Sequence, residues 1–156
     1  VVIPPEVKSA FDEELLVLFQ GLQAHGAEFG YRTAYEAGRF THFYRLHGNQ
    51  AASDRAWIND AIDCVIVQKL LPKLHGSRAK LEPVLKKLWF LCVTDPASRG
   101  YDPLKEADGA TPSTDKKKFE PVLPIPVGVP YHRSAAKIAR MWRLLIDNGF
   151  ASFAEA

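Results

Sequence analysis

The stretch SDRAWINDAIDCVIVQKL, residues 53–70, decides the fold class. Its apolar residues Trp57, Ile58, Ala61, Ile62, Val65, Ile66 and Leu70 recur at intervals of three and four, the spacing that lines a helix face. A stripe this broad predicts the central helix of a bundle, covered on several sides. Ser53 or Asp54 can cap its start, and Pro72 followed by His75-Gly76 should stop it.

Toward the N-terminus, Phe11, Leu15, Leu18, Phe19 and Leu22 predict a helix from Ser9, as its cap, to about His25, with Asp12 and Glu13 suited to the first turn and Gly26 near the end. A second helix is predicted over residues 30–46, closed by Gly48. Its inner stripe would be Tyr31, Ala34, Tyr35, Phe40, Phe43 and Tyr44, because aromatic rings contribute large buried areas. Arg32, Glu36, Arg39 and His42 would lie on the opposite face.

Toward the C-terminus, Ser77 should open a helix that buries Leu81, Val84, Leu85, Leu88, Trp89 and Cys92. Pro83 predicts a late start or a bent first turn there. From Thr94 to Arg133 the periodicity vanishes, with seven prolines and three glycines and the basic run Lys116-Lys117-Lys118. Within it, VLPIPVGVP (residues 122–130) is apolar enough to lie extended along a groove. A last helix should open at Ser134 and bury Ile138, Met141, Trp142 and Leu145. Asn148-Gly149 has the composition of a left-handed stop, with Phe150 packing back on the helix.

The expected fold is therefore all-α, a small bundle of about five helices with a long Pro/Gly-rich connector before the last one. No repeat occurs, and no alternating pattern is long enough to predict a strand. Residues 1–8 read as a linker from an upstream domain, 9–93 as a helical bundle, 94–133 as the connector and 134–156 as a C-terminal helix packed on the bundle. The opening VVIPP, without an initiator Met, is expected to be a segment leaving an earlier domain.

Composition narrows the function class. The 156 residues are 47% hydrophobic and 24% charged with a net charge of +2, a globular composition without the basic excess of a nucleic-acid-binding face. Cys64 and Cys92 each sit in an apolar helical stretch, so buried thiols in a reducing cytoplasmic setting are expected rather than a disulfide framework. No secretory signal and no run of about 20 apolar residues is present, so no membrane partner is expected.

The chain lacks the Gly-rich loop with Lys that surrounds phosphates, and no strand ends in a Mg²⁺-binding carboxylate. Nucleotide hydrolysis by this chain alone is not expected. The cysteines are far apart without metal-binding partners, so no zinc site is expected. His25, His42, His47, His75 and His132 fall mostly at helix ends, where a cation interacts well with the helix dipole. No base is assigned to either cysteine for nucleophilic catalysis.

The most informative segments are EFGYRTAYE (28–36) and QKLLPKLHGSR (68–78). Together they resemble the C-terminal region of McrB-like AAA+ proteins, and the ending RSAAKIARMWRLLIDNGFASF is similar to the tail of the same group. The resemblance spans most of residues 10–93 and 131–153. It implies a lid packed beside an upstream AAA+ core, which would bind GTP or ATP with Mg²⁺. It further implies a homo-oligomeric ring with a nuclease subunit and DNA as clients of the whole assembly. In such lids a sensor arginine near the start of a helix reaches the γ-phosphate, and Gly30-Tyr31-Arg32 matches that placement.

Spacing alone reads Arg32 as an exposed arginine paired with Glu36 four residues on. The resemblance reads it as the phosphate sensor, with Arg39 and Glu36 as secondary candidates. Lys116, Lys117 and Lys118 are either a solvated run or a contact for DNA or a partner. The alternative function is a freestanding helical interaction domain that docks a partner through the aromatic face of the second helix or the Pro-rich connector. A helix-turn-helix DNA binder is disfavoured by the nearly balanced charge.

Overall fold

Two helices meet at the buried carboxylate of Asp63. The computed structural model describes residues 5–27, 29–48, 54–95 and 120–156, which form five α-helices and one small two-stranded sheet. Helix α1 spans Pro5–Gln23, α2 Tyr31–His47 and α3 Asp54–Val65. The chain then winds through a π turn, Ile66–Leu70, and a 3₁₀ turn, Leu71–Lys73. Strand β1 is His75–Ser77, α4 Arg78–Val93, α5 His132–Asn148 and β2 Phe150–Ser152. No described helix is long and apolar enough to cross a membrane.

The expected central helix is central. Trp57, Ile58, Ala61, Ile62, Val65, Ile66 and Leu70 are all buried, and α1, α2 and α5 all contact α3. The inner face expected for α4 is buried in full as well. That helix begins at Arg78, with Ser77 in the capping position, and continues through Pro83. Pro83 is exposed, so the hydrogen bond its missing N–H forgoes lies at the solvent side.

Helix α1 starts at Pro5 and not at Ser9, so residues 5–8 belong to the bundle and not to a linker; Val7 is buried in the core. A proline suits the first helical position, where the N–H has no intrahelical partner and φ is already set. Ser9 instead lies inside the helix, with its Oγ 3.5 Å from Glu13 Oε1. The helix ends as its sequence predicts. Gly26 adopts φ +65°, its amide donates to the Gln23 carbonyl, and the Ala27 amide donates to the Leu22 carbonyl at 2.9 Å. This is the Schellman pattern that satisfies the last helical carbonyls.

For α2 the bounds agree with the sequence, but the buried face does not. Thr33, Ala37 and Thr41 face the core, while Tyr31, Tyr35 and Phe43 are exposed and Phe40 and Tyr44 half-buried. Small side chains every four residues allow α2 to lie close against α3, and that approach turns the rings outward. Thr41 Oγ1 satisfies itself within the helix by donating to the Ala37 carbonyl at 2.9 Å.

The connector is described only from Glu120 onward and up to Asp95. Within VLPIPVGVP, Ile125 packs partly against the core, but Val122, Leu123 and Val127 are exposed, so the segment does not lie buried along a groove. Helix α5 begins at His132, two residues before Ser134, and buries Ile138, Met141, Trp142 and Leu145 as expected. Gly149 closes it with φ +71°. Phe150 does not pack back. It is exposed at the start of β2, which pairs antiparallel with β1 in the register His75 to Ser152 and Ser77 to Phe150. Three-residue strands are too short to show an alternating pattern, which is why the sequence does not reveal them.

The start of α5 has no local cap. Tyr131, in the capping position, has its ring fully buried, and its hydroxyl donates to Glu14 of α1 at 2.8 Å. Asp63 of α3 supplies the cap from across the bundle. Its carboxylate accepts the Arg133 amide at 3.0 Å, the Ser134 amide at 2.8 Å and the Ser134 hydroxyl at 2.6 Å. A carboxylate at these second and third amides satisfies free donors and complements the positive end of the helix dipole.

Replacing Asp63 with Ala should therefore destabilise the chain by about 2–4 kcal/mol, since a buried charge-assisted cap is lost and its donors are left without a partner. Urea unfolding is expected to show a lower midpoint with unchanged slope. A midpoint equal to that of the parent chain would remove the cap from the stability of the fold.

Candidate functional site

The two segments singled out in the sequence meet in space at the start of α2. Phe29, just before the helix, is buried and packs edge-on against Phe19 of α1, with ring centroids 5.4 Å apart. This anchors the chain where it enters α2, in the manner of a hydrophobic contact ahead of a cap. Gly30 then holds the capping position in an extended conformation, and no side chain caps the helix. The Thr33 amide donates to the Gly30 carbonyl at 3.0 Å, so the amides of Tyr31 and Arg32 and the positive end of the helix dipole are what open onto the surface here.

Arg32, the second residue of α2, has a side chain 91% exposed. Its Nε donates to Glu36 Oε1 at 3.0 Å, and the other carboxylate oxygen accepts Lys69 Nζ at 3.2 Å. Lys73 Nζ donates to Thr33 Oγ1 at 2.6 Å. Both lysines come from the turns that follow α3. Arg32 and Lys69 thus share one carboxylate at the head of α2, and Lys73 binds the Thr33 hydroxyl one turn away. The Lys69 hydrogen bond first, and the Arg32 bond second, hold the Glu36 carboxyl below the ordinary glutamate range. Arg32 has no partner for its two terminal nitrogens among the described residues.

Of the other residues expected at this site, Tyr31 is 87% exposed and stacks on Tyr35, and the Arg39 guanidinium lies 5.9 Å from the centre of the Tyr35 ring. Tyr31 also forms one wall of an apolar groove of about 410 Å³ between α1 and α2, floored by Leu15, Phe19, Phe29 and Ala34. Lys116, Lys117 and Lys118 lie outside the described residues. Sequence reasoning missed Lys69, Lys73 and Thr33. The signal for the lysines was their spacing of four within QKLLPKLHGSR, but only the packing of α2 on α3 pairs them with Glu36 and Thr33.

A family model described as a domain of unknown function, DUF8727, matches residues 4–150. The chain belongs to the DUF8727 family. The match runs from α1 to the first residue of β2, so the head of α2 and the turns facing it both lie within the DUF8727 unit. No curated protein and no solved structure matches the chain.

In this DUF8727 chain neither cysteine is part of a disulfide, Cys92 being buried and Cys64 half-buried. Burial, first, pushes the Cys64 thiol up, and the carboxylates of Asp60 and Asp63 add to it against the opposing pull of Arg133. A thiol held protonated in this way is a poor nucleophile. Among the described residues no three His, Cys, Asp or Glu side chains converge as metal ligands.

Because the Glu36 carboxyl is held low in the folded chain, its contribution to stability is present above the pKa of the unfolded chain and is lost as pH falls through the folded value. Carboxyl titration by NMR should find Glu36 below ordinary glutamate. Lys69→Met should raise it further toward normal than Arg32→Ala does, since the lysine bond is the larger cause; the reverse order would mean that Arg32 dominates the cluster.

Proposed function

We propose that this chain is the nucleotide-sensing and subunit-coupling lid of a McrB-like AAA+ nucleoside triphosphatase acting in DNA restriction or defence. The observation that carries the reading is the free guanidinium fork of Arg32 at the head of an uncapped helix, with Lys69 and Lys73 beside it. A guanidinium stays charged and offers phosphate oxygens a planar pair of donors, and a helix start adds a favourable field for an anion. The sequence likeness of residues 28–36 and 68–78 to McrB-type lids points the same way.

In this proposal the upstream core holds GTP or ATP with Mg²⁺, and the present chain supplies no phosphate loop of its own. Arg32 approaches the γ-phosphate and stabilises the charge that develops as the phosphoryl group departs. After hydrolysis the anion it answered is gone, and the Glu36 carboxylate retains the arginine at the helix start. The resulting change in lid position couples neighbouring subunits of a homo-oligomeric cytoplasmic ring that works with a nuclease subunit on DNA. In this reading the exposed rings of Tyr31 and Tyr35 meet the core surface.

A freestanding helical interaction domain is a second reading, favoured by one observation: Tyr31, Tyr35 and Leu16 are exposed beside the apolar groove. In that case Tyr31 and Tyr35 would carry partner binding and Arg32 would carry no turnover.

In the full-length protein, Arg32→Ala should lower nucleotide turnover by roughly 10²-fold, the loss seen when one donor to a developing oxyanion is removed. The melting temperature should stay unchanged, because the side chain is exposed. Steady-state hydrolysis compared with a thermal melt is the check, and unaltered turnover would take Arg32 out of the mechanism.

A further inference from the structure

A second basic feature shares Lys73 with the head of α2 but does not include Arg32. The end of α1, the Leu71–Lys73 turn, β1 and the first turn of α4 enclose a cavity of about 190 Å³. Lys73, Lys80, His25 and His75 line it over a floor that includes Leu74 and Leu81, and no carboxylate appears among its described lining residues. The two leucines are buried, 6% and 1% exposed, so the floor belongs to the rigid core.

The lysines here differ from others on the surface. Lys8 is paired with Asp12, Lys69 with Glu36 and Lys86 with Glu82. Lys73 instead donates to the neutral Thr33 hydroxyl, which leaves its remaining ammonium protons available. Lys80 makes no hydrogen bond or ion pair with any described residue, and neither does the His75 ring. Two ammonium groups therefore face one small cavity with no counter-charge from the described residues.

The backbone is adapted to this arrangement. Gly76 sits at φ +140°, a conformation that disfavours any side chain, and a Cβ there would stand 3.0 Å from Lys80 Cδ. The β1–β2 ladder holds Gly76 opposite Ala151. Glycine thus lets the Lys80 stem lie over β1 at the cavity's edge.

Size and charge together select the ligand. At about 30 Å³ per water, the cavity takes roughly six waters, enough for a phosphoryl or diphosphate group. It is smaller than the roughly 300 Å³ and more typical of a site for a whole organic ligand. We propose that this cavity binds a phosphate or diphosphate group, with the Lys73 and Lys80 ammonium groups as counter-charges and the His75 ring as a hydrogen-bonding wall. The group comes either from the free anion or from the terminal phosphates of a nucleotide whose base stays outside. The proposal does not rest on the lid reading, since Arg32 takes no part in it.

The test is a titration of the full chain with inorganic pyrophosphate at constant ionic strength, followed by amide signals in ¹H–¹⁵N spectra. Saturable shifts are expected at residues 73–81 and around His25. Affinity should fall roughly tenfold in Lys80→Gln, the loss expected for one hydrogen bond to a charged group. Lys73→Gln should weaken binding as well, whereas Lys86→Gln and Arg32→Ala should leave it unchanged. The Arg32 variant thereby separates this site from the sensor, because turnover and pyrophosphate binding can fail independently. Lys80 is exposed, so its variant should melt at the parent temperature. Tighter binding of a nucleoside diphosphate than of pyrophosphate would identify a nucleotide as the source, and equal binding the free anion; both support the site. Shifts that never saturate, or an equal loss in Lys86→Gln, would overturn it.

Discussion

The bundle depends on the buried carboxylate of Asp63. Helix α5 starts after a residue, Tyr131, whose ring is drawn into the core and whose hydroxyl is committed to Glu14 of α1. It therefore cannot cap itself. Asp63 closes its first turn through two amides and a hydroxyl. Arg133 adds a bond to Asp60 at 2.5 Å on the same helix, α3. Burying a carboxylate is costly unless its oxygens are satisfied, and here the donors come from a helix start whose dipole favours the charge. One junction thus orders α5 against α3 and, through Tyr131, against α1.

The other end of α5 is held by different means. Gly149 ends the helix in a left-handed turn, its carbonyl accepts the Arg78 amide at the start of α4, and β2 then pairs with β1. With both ends of α5 fixed, the segment between α3 and α4 has little freedom. That segment carries Lys69, Lys73, His75 and Gly76, so the stability of the core and the placement of both proposed anion-facing surfaces share one cause. Helix α2, by contrast, lies at the periphery on small residues, and its aromatic side and Arg32 stay in solvent. A rigid base and an accessible helix head are what the proposed sensing role requires.

Much of this was legible in the residues. The broad stripe of α3, the inner face of α4, the Schellman stop at Gly26 and the glycine stop of α5 depend on periodicity and on the backbone preferences of glycine, which are local. The head of α2 and the exposed Arg32–Glu36 pair were also readable, because an i, i+4 ion pair is local. Less legible was the inward face of α2. Ring size favoured an aromatic interior, but close packing on α3 selected Thr33, Ala37 and Thr41. Helix pairing chooses by fit as well as by hydrophobicity.

The sequence by itself determined the class, the helices found among the described residues and most of their ends, because each rests on spacing and capping within a few residues. Only the tertiary structure decided that Asp63 caps a helix seventy residues away, that β1 pairs with β2, and that Lys69 meets Glu36. It also decided that Lys73 and Lys80 share one small cavity. Those contacts join residues far apart in the chain, and no local preference encodes which distant partners the packed core will bring together.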